Sequence, residues 1–133
     1  MAITVAIRDQ AGARADAADP FELDVPAALT LRDLIRTRVR EEVAKANAAA
    51  AVGASFRTLV QPVDAEVTLN GYRLETGRTI EWERQADKAE QAFLRNGFFV
   101  LVDGRQVEDL DEELALTADS DIRFVRLTPL VGG

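Results

Sequence analysis

Gly132-Gly133 is the pair of residues in this chain best suited to chemistry. It follows Arg123-Phe124-Val125-Arg126-Leu127-Thr128-Pro129-Leu130-Val131, a strand-like run that buries Ile122 and Phe124 and then gives way to a short tail. Nothing in a packed fold requires two free terminal glycines. With Gly at roughly 7% of residues, the pair arises by chance about once in 200 chains. Carboxylate activation does require such an end. Glycine has no Cβ, so its backbone can enter a narrow channel and lay the Gly133 carboxylate against the α-phosphate of ATP. On the tail alone, the alternative is a frayed end or a chain cut back at this point.

The composition narrows the chemistry further. A length of 133 residues predicts one domain, large enough to bury a core without staples. With 47% apolar and 29% charged residues, the chain has the balance of a soluble globular protein. No apolar run approaches the ~18 residues of a membrane span, and Met1-Ala2-Ile3-Thr4-Val5 has no secretory pattern. The lack of cysteine excludes disulfides, thiolate metal sites and thiol nucleophiles, and the lack of histidine removes the commonest general base. These features point to a cytoplasmic protein that is not an enzyme and needs no cofactor or metal. A net charge of −7 argues against nucleic acid or an anionic membrane as the main partner.

Several elements are needed to position the terminal run. Ile3-Thr4-Val5-Ala6-Ile7-Arg8 and Phe21-Glu22-Leu23-Asp24-Val25 alternate as strands of a hairpin that Pro26 ends. Thr30 caps a helix in which Leu31, Leu34, Ile35, Val39, Val43 and Ala46 form an apolar face, and Gly53 can stop it. Arg32, Arg36, Arg38 and Arg40 lie mainly outside that face, solvated and partly paired with Glu41 and Glu42. Residues 65–69 and 72–74 read as a hairpin about an Asn70-Gly71 turn. Thr79 then caps a helix to Arg95 that buries Ile80, Trp82, Ala86, Ala89 and Phe93 and stops at Asn96-Gly97. Trp82 is either a packing residue or a partner anchor. Phe98-Phe99-Val100-Leu101-Val102 is a buried strand, turned tightly by Asp103-Gly104 into Arg105-Gln106-Val107. Leu110-Asp111-Glu112-Glu113-Leu114 reads as an acidic turn or a single helical turn.

With residues 53–97 set aside, the order is hairpin, helix, strand, tight turn, short strand, turn and final strand. Phe99-Val100-Leu101-Val102-Asp103-Gly104-Arg105-Gln106-Val107-Glu108-Asp109 resembles the middle of ubiquitin, and with Gly132-Gly133 the chain resembles a bacterial ubiquitin-like modifier. Its end from Asp121 to Gly133 is also similar to the sulfur-carrier subunit of molybdopterin synthase, which has an apolar strand, a proline-bearing step and Gly-Gly. The resemblance covers residues 2–52 and 98–133. It implies an α+β fold of the β-grasp type, a mixed sheet over one helix, as a single domain over 1–133. The hairpin-plus-helix segment of about 53–97 is then an insertion, and 128–133 a flexible tail. Ile3, Val5, Leu23, Leu34, Ile35, Phe99, Leu101, Ile122 and Phe124 are expected at its buried centre.

The function implied is that of a modifier. An activating enzyme adenylates the Gly133 carboxylate, a conjugating enzyme takes it over, target proteins receive it on amines, and an isopeptidase can remove it. Gly132 and Gly133 are then the reactive end, with Leu127, Thr128, Pro129, Leu130 and Val131 as the lead-in that partners recognise. Two alternatives stay open: a sulfur carrier ending in a thiocarboxylate, and an adaptor that docks without being conjugated.

The chain holds 14 arginines but only two lysines, Lys45 and Lys88. A guanidinium stays protonated at working pH and does not accept an acyl group. Chains of this protein, if formed, therefore map by mass spectrometry to Lys45, Lys88 and the N-terminal amine. Dominant linkage to serine or threonine hydroxyls would contradict this.

Overall fold

In strand β1, Ala2–Ala11, side chains alternate between faces, so Val5 and Ile7 are buried while Thr4 and Arg8 are exposed. The computed structural model describes residues 2–11, 14–15, 20–63, 65–68, 71–74 and 78–126. Short β2, Arg14–Ala15, and then β3, Phe21–Pro26, return antiparallel to β1, with Val5 opposite Leu23 and Ile3 opposite Val25. After β4, Ala28–Thr30, comes helix α1, Leu31–Ala51. The small strands β5, Glu66–Thr68, and β6, Gly71–Arg73, and helix α2, Trp82–Leu94, follow. The chain continues through β7, Phe98–Val102, β8, Arg105–Val107, β9, Glu113–Ala115, and β10, Ile122–Arg126. The protein is thus α+β, with a mixed sheet and two helices.

The main sheet is organised around β10. It runs parallel to β1, Ile7 opposite Ile122, and antiparallel to β7, Phe124 opposite Val100. β8 pairs antiparallel with β7 at the sheet's edge. Asp103 and Gly104 join them with φ of 51° and 82°, the two left-handed residues that a tight hairpin turn of the right twist needs. Asp103 also accepts the Asp121 N–H on its carboxylate (2.9 Å) and donates its own N–H to the Asp121 carbonyl (2.8 Å), which fixes the entry to β10.

Two compact units arise, one comprising 1–34 with 92–133 and the other 35–91. The first buries Val5, Ile7, Leu23, Val25, Phe98, Val100, Ile122 and Phe124. The start of α1 belongs to it and is satisfied on every side. Thr30 Oγ1 accepts the Asp33 N–H at 3.2 Å, and the Leu31 and Arg32 N–H groups donate to the carbonyls of Glu112 and Leu110. Arg32 pairs with Asp111 at 3.2 Å. The acidic segment is a turn at 110–111 followed by β9, which pairs with β4.

In the second unit, the end of α1 carries a small apolar cluster. Ala46 and Ala50 meet Phe56 and Leu74, with Ala49, Ala65, Tyr72 and Ile80 packed around them. Gly53 at φ 72° ends the helix, and the Ala54 N–H reaches back to the Ala49 carbonyl at 2.9 Å. Leu74 is buried there and Tyr72 half-buried.

Four local expectations are corrected. Phe98, Val100 and Val102 are the buried set of β7, leaving Phe99 and Leu101 half-buried on the opposite face, because the pairing of β7 with β10 sets which alternate residues point inward. Ile3 is likewise only half-buried. In the small hairpin Thr68 lies opposite Gly71, so the two intervening residues are Leu69 and Asn70, outside the described residues, and Gly71 belongs to the strand. α2 starts at Trp82, and Thr79 lies ahead of its cap position. Asn47 holds the Ile80 backbone out of the helix by accepting its N–H at 2.7 Å and donating to its carbonyl at 3.2 Å.

Gly71 is required by a close approach. A Cβ there would sit 2.1 Å from the Phe56 carbonyl oxygen, which is itself fixed by reciprocal bonds with Tyr72 of 2.7 and 2.8 Å. Gly71→Ala therefore destabilises by roughly 3 kcal/mol, as an overpacked site does. Gly53→Ala meets nothing within 4 Å and costs only the left-handed backbone strain, about 1 kcal/mol. Urea denaturation of both variants checks the ranking, and equal losses would contradict it.

Candidate functional site

β10 is the element that carries the chain toward the predicted reactive end, and it is firmly held. Phe124 stacks on Phe98 with ring centroids 5.7 Å apart and planes at 17°, and Phe93 packs on Phe98 at 5.7 Å. Phe93 is placed there by the end of α2, where Asn96 takes the left-handed conformation at φ 61°. There the Gly97 N–H closes on the Ala92 carbonyl at 2.8 Å. The last described residue, Arg126, lies 4.0 Å from the Asp9 carboxylate on β1. Leu127, Thr128, Pro129, Leu130, Val131, Gly132 and Gly133 lie outside the described residues.

Both candidate acceptor lysines belong to the second unit. Lys45 is exposed on α1, and Lys88 is exposed on α2, where its ammonium donates to the Gln61 carbonyl. Among the described residues no group of three or more Asp, Glu, His or Cys side chains is placed to hold a metal ion. No helix there is long and apolar enough to cross a membrane.

One feature of the second unit escaped the reading of the α1 arginines as solvated. Arg38 is 1% exposed and Glu42 6%. At four-residue spacing after Leu34, both fall within the buried stripe of α1 rather than outside it. Glu42 accepts from Arg38 Nη2 at 3.3 Å and from the Leu59 N–H at 3.2 Å. A single carboxylate thus neutralises a buried cation and ties down the backbone that leads out of α1. The sequence signal was available: Leu34, Arg38 and Glu42 share one face, and an Arg–Glu pair at that spacing can be buried as a unit.

The remaining arginines of α1 behave differently. Arg36 bridges Asp87, at 2.9 Å, and Glu90. Hydrogen bonding to Asp87 first, and to Glu90 next, pushes its guanidinium above the ordinary value. The guanidinium carbons of Arg36 and Arg40 stand 5.7 and 5.5 Å from the centroid of the Trp82 ring. Trp82 is half-buried, its ring engaged by two cations one helical turn apart.

Glu42→Ala strips the Leu59 N–H of its acceptor and removes a counter-charge from Arg38. The expected loss is about 3 kcal/mol, with faster hydrogen exchange at the Leu59 amide. Glu42→Gln keeps an acceptor for Leu59 and loses less. An unchanged melting temperature for Glu42→Ala would contradict a structural role for the pair. Compared with protein-family models, with curated proteins and with solved structures, the chain finds no match in any of the three.

Proposed function

We propose that this protein is a ubiquitin-like modifier built on a β-grasp sheet, a substrate of other enzymes rather than a catalyst. One observation supports this above all: the strand order β3-β1-β10-β7-β8, with β1 and β10 parallel and every other pair antiparallel. The β-grasp fold likewise pairs its first and last strands in parallel. Here the last strand leads directly into Leu127–Val131 and the glycine pair.

The chemistry proposed is that of an activated carboxylate. An oxygen of the Gly133 carboxylate attacks the α-phosphorus of ATP in an activating enzyme, and pyrophosphate leaves. The mixed anhydride is passed to an enzyme nucleophile with loss of AMP, and then to a target amine, which forms an amide as the nucleophile departs. Gly132 and Gly133 supply a backbone narrow enough to reach the phosphate. Pro129 fixes its own φ and biases Thr128 toward an extended conformation, which lowers the entropy lost on entering a channel.

The chain's requirement is a free carboxylate at Gly133, present from synthesis or exposed by trimming, and intact-mass measurement of the natural protein establishes it. ATP–pyrophosphate exchange with the cognate activating enzyme then tests activation. Gly132→Ala or Gly133→Ala is expected to impair exchange with a nearly unchanged melting temperature, and deletion of both glycines to abolish it. A product gaining one sulfur in place of one oxygen would identify a sulfur carrier instead. Partner function undiminished by the deletion would identify a non-conjugated adaptor.

A further inference from the structure

The second unit holds a cleft of about 200 Å³ whose two halves differ in chemistry. Its floor is apolar, formed by buried Pro62 and Leu74 and half-buried Ile80. Its rim carries Arg78, Arg84 and Lys88 against one described carboxylate, Glu81. A chain of net charge −7 has gathered cations here against its own average.

Among the described residues, the charges of Arg84 and Lys88 are only lightly compensated. Arg84 Nε stands 3.9 Å from Glu81 with both side chains exposed, a pairing of little energetic weight. The Lys88 ammonium is held by a neutral group, the Gln61 carbonyl. Arg84 and Lys88 lie one turn apart on α2, and between them Gln85, 4% exposed, donates Nε2 to the Val60 carbonyl at 2.6 Å. That bond anchors α2 to the segment that also supplies Pro62, so rim and floor are held in one arrangement.

We propose that this cleft docks a polypeptide segment in which an apolar side chain is flanked by Asp or Glu. The apolar side chain rests on Pro62, Leu74 and Ile80, and the carboxylates pair with Lys88 and Arg84. Charge complementarity selects the acidic flanks. The apolar floor would be wasted on a bare anion. Val63, 67% exposed at the cleft's mouth, extends apolar surface outward to a longer partner. The proposal rests on the lining and charge of the cleft and not on the function proposed for Gly133.

Random-peptide display against the full chain, counter-selected on a Lys88→Glu/Arg84→Glu double variant, tests the proposal. Peptides with an apolar residue between acidic ones are expected. The leading peptide, labelled for fluorescence anisotropy, binds the double variant at least about tenfold more weakly, and Arg95→Glu, outside the cleft, as tightly as wild type. Its affinity falls between low and high salt. Titration into isotope-labelled wild-type chain shifts the amides of Ile80, Gln85 and Lys88, a readout independent of how the variants fold. No enriched peptide family, a family without acidic residues, or equal binding by the double variant would overturn the proposal. So would a concentration-dependent dimer that the peptide displaces, which would make a second copy the occupant.

Discussion

The parallel ladder between β1 and β10 joins residues from opposite ends of the chain, Ile7 beside Ile122, and the main sheet cannot exist without it. Each of these strands carries its own antiparallel partner, β3 on one side and β7 on the other. Without the ladder, two separate strand groups would each expose an apolar face and an open edge, and short hairpins are marginal in water. Closing so long a loop costs entropy that grows only logarithmically with its length. The heavier consequence is kinetic, because contacts this distant in sequence slow folding. The Asp103–Asp121 exchange of hydrogen bonds and the Phe93–Phe98–Phe124 stack hold β10 from the other side.

Much of this arrangement was legible in the sequence because local and tertiary preferences agree there. The alternation of β1 and β3, the Thr30 cap, the Gly53 stop and the Asp103-Gly104 turn each have a local physical cause. Where a distant partner decides, local pattern misleads. Phe98 and Phe99 are equally apolar, and only pairing with β10 determines which faces inward. Asn70-Gly71 carries a strong turn signal, yet the nearness of Phe56, more than a dozen residues earlier, uses the glycine for clearance within a strand.

The chemistry-bearing residues divide in the same way. The glycine pair stands out in the sequence by residue type alone and lies outside the described residues. Arg38 and Glu42 are not readable by residue type, since charged side chains are ordinarily exposed and these become buried only as a mutually neutralising pair. The cleft is less legible still. Its apolar floor comes from a loop, the end of a hairpin and the approach to a helix, and nothing in the spacing of Pro62, Leu74 and Ile80 announces that they converge.

The margins of the main sheet bear on how the protein behaves when crowded. β8 is three residues long and begins with a charged arginine. At the other margin, β3 alternates exposed Glu22 and Asp24 with its inward residues and closes on Pro26, which has no N–H to offer. Strands that are short, acidic or proline-ended make poor templates for a neighbour's backbone. Once the ladder has closed, neither β8 nor β3 readily lets a second molecule extend the sheet, so the folded protein resists stacking edge to edge into fibrils.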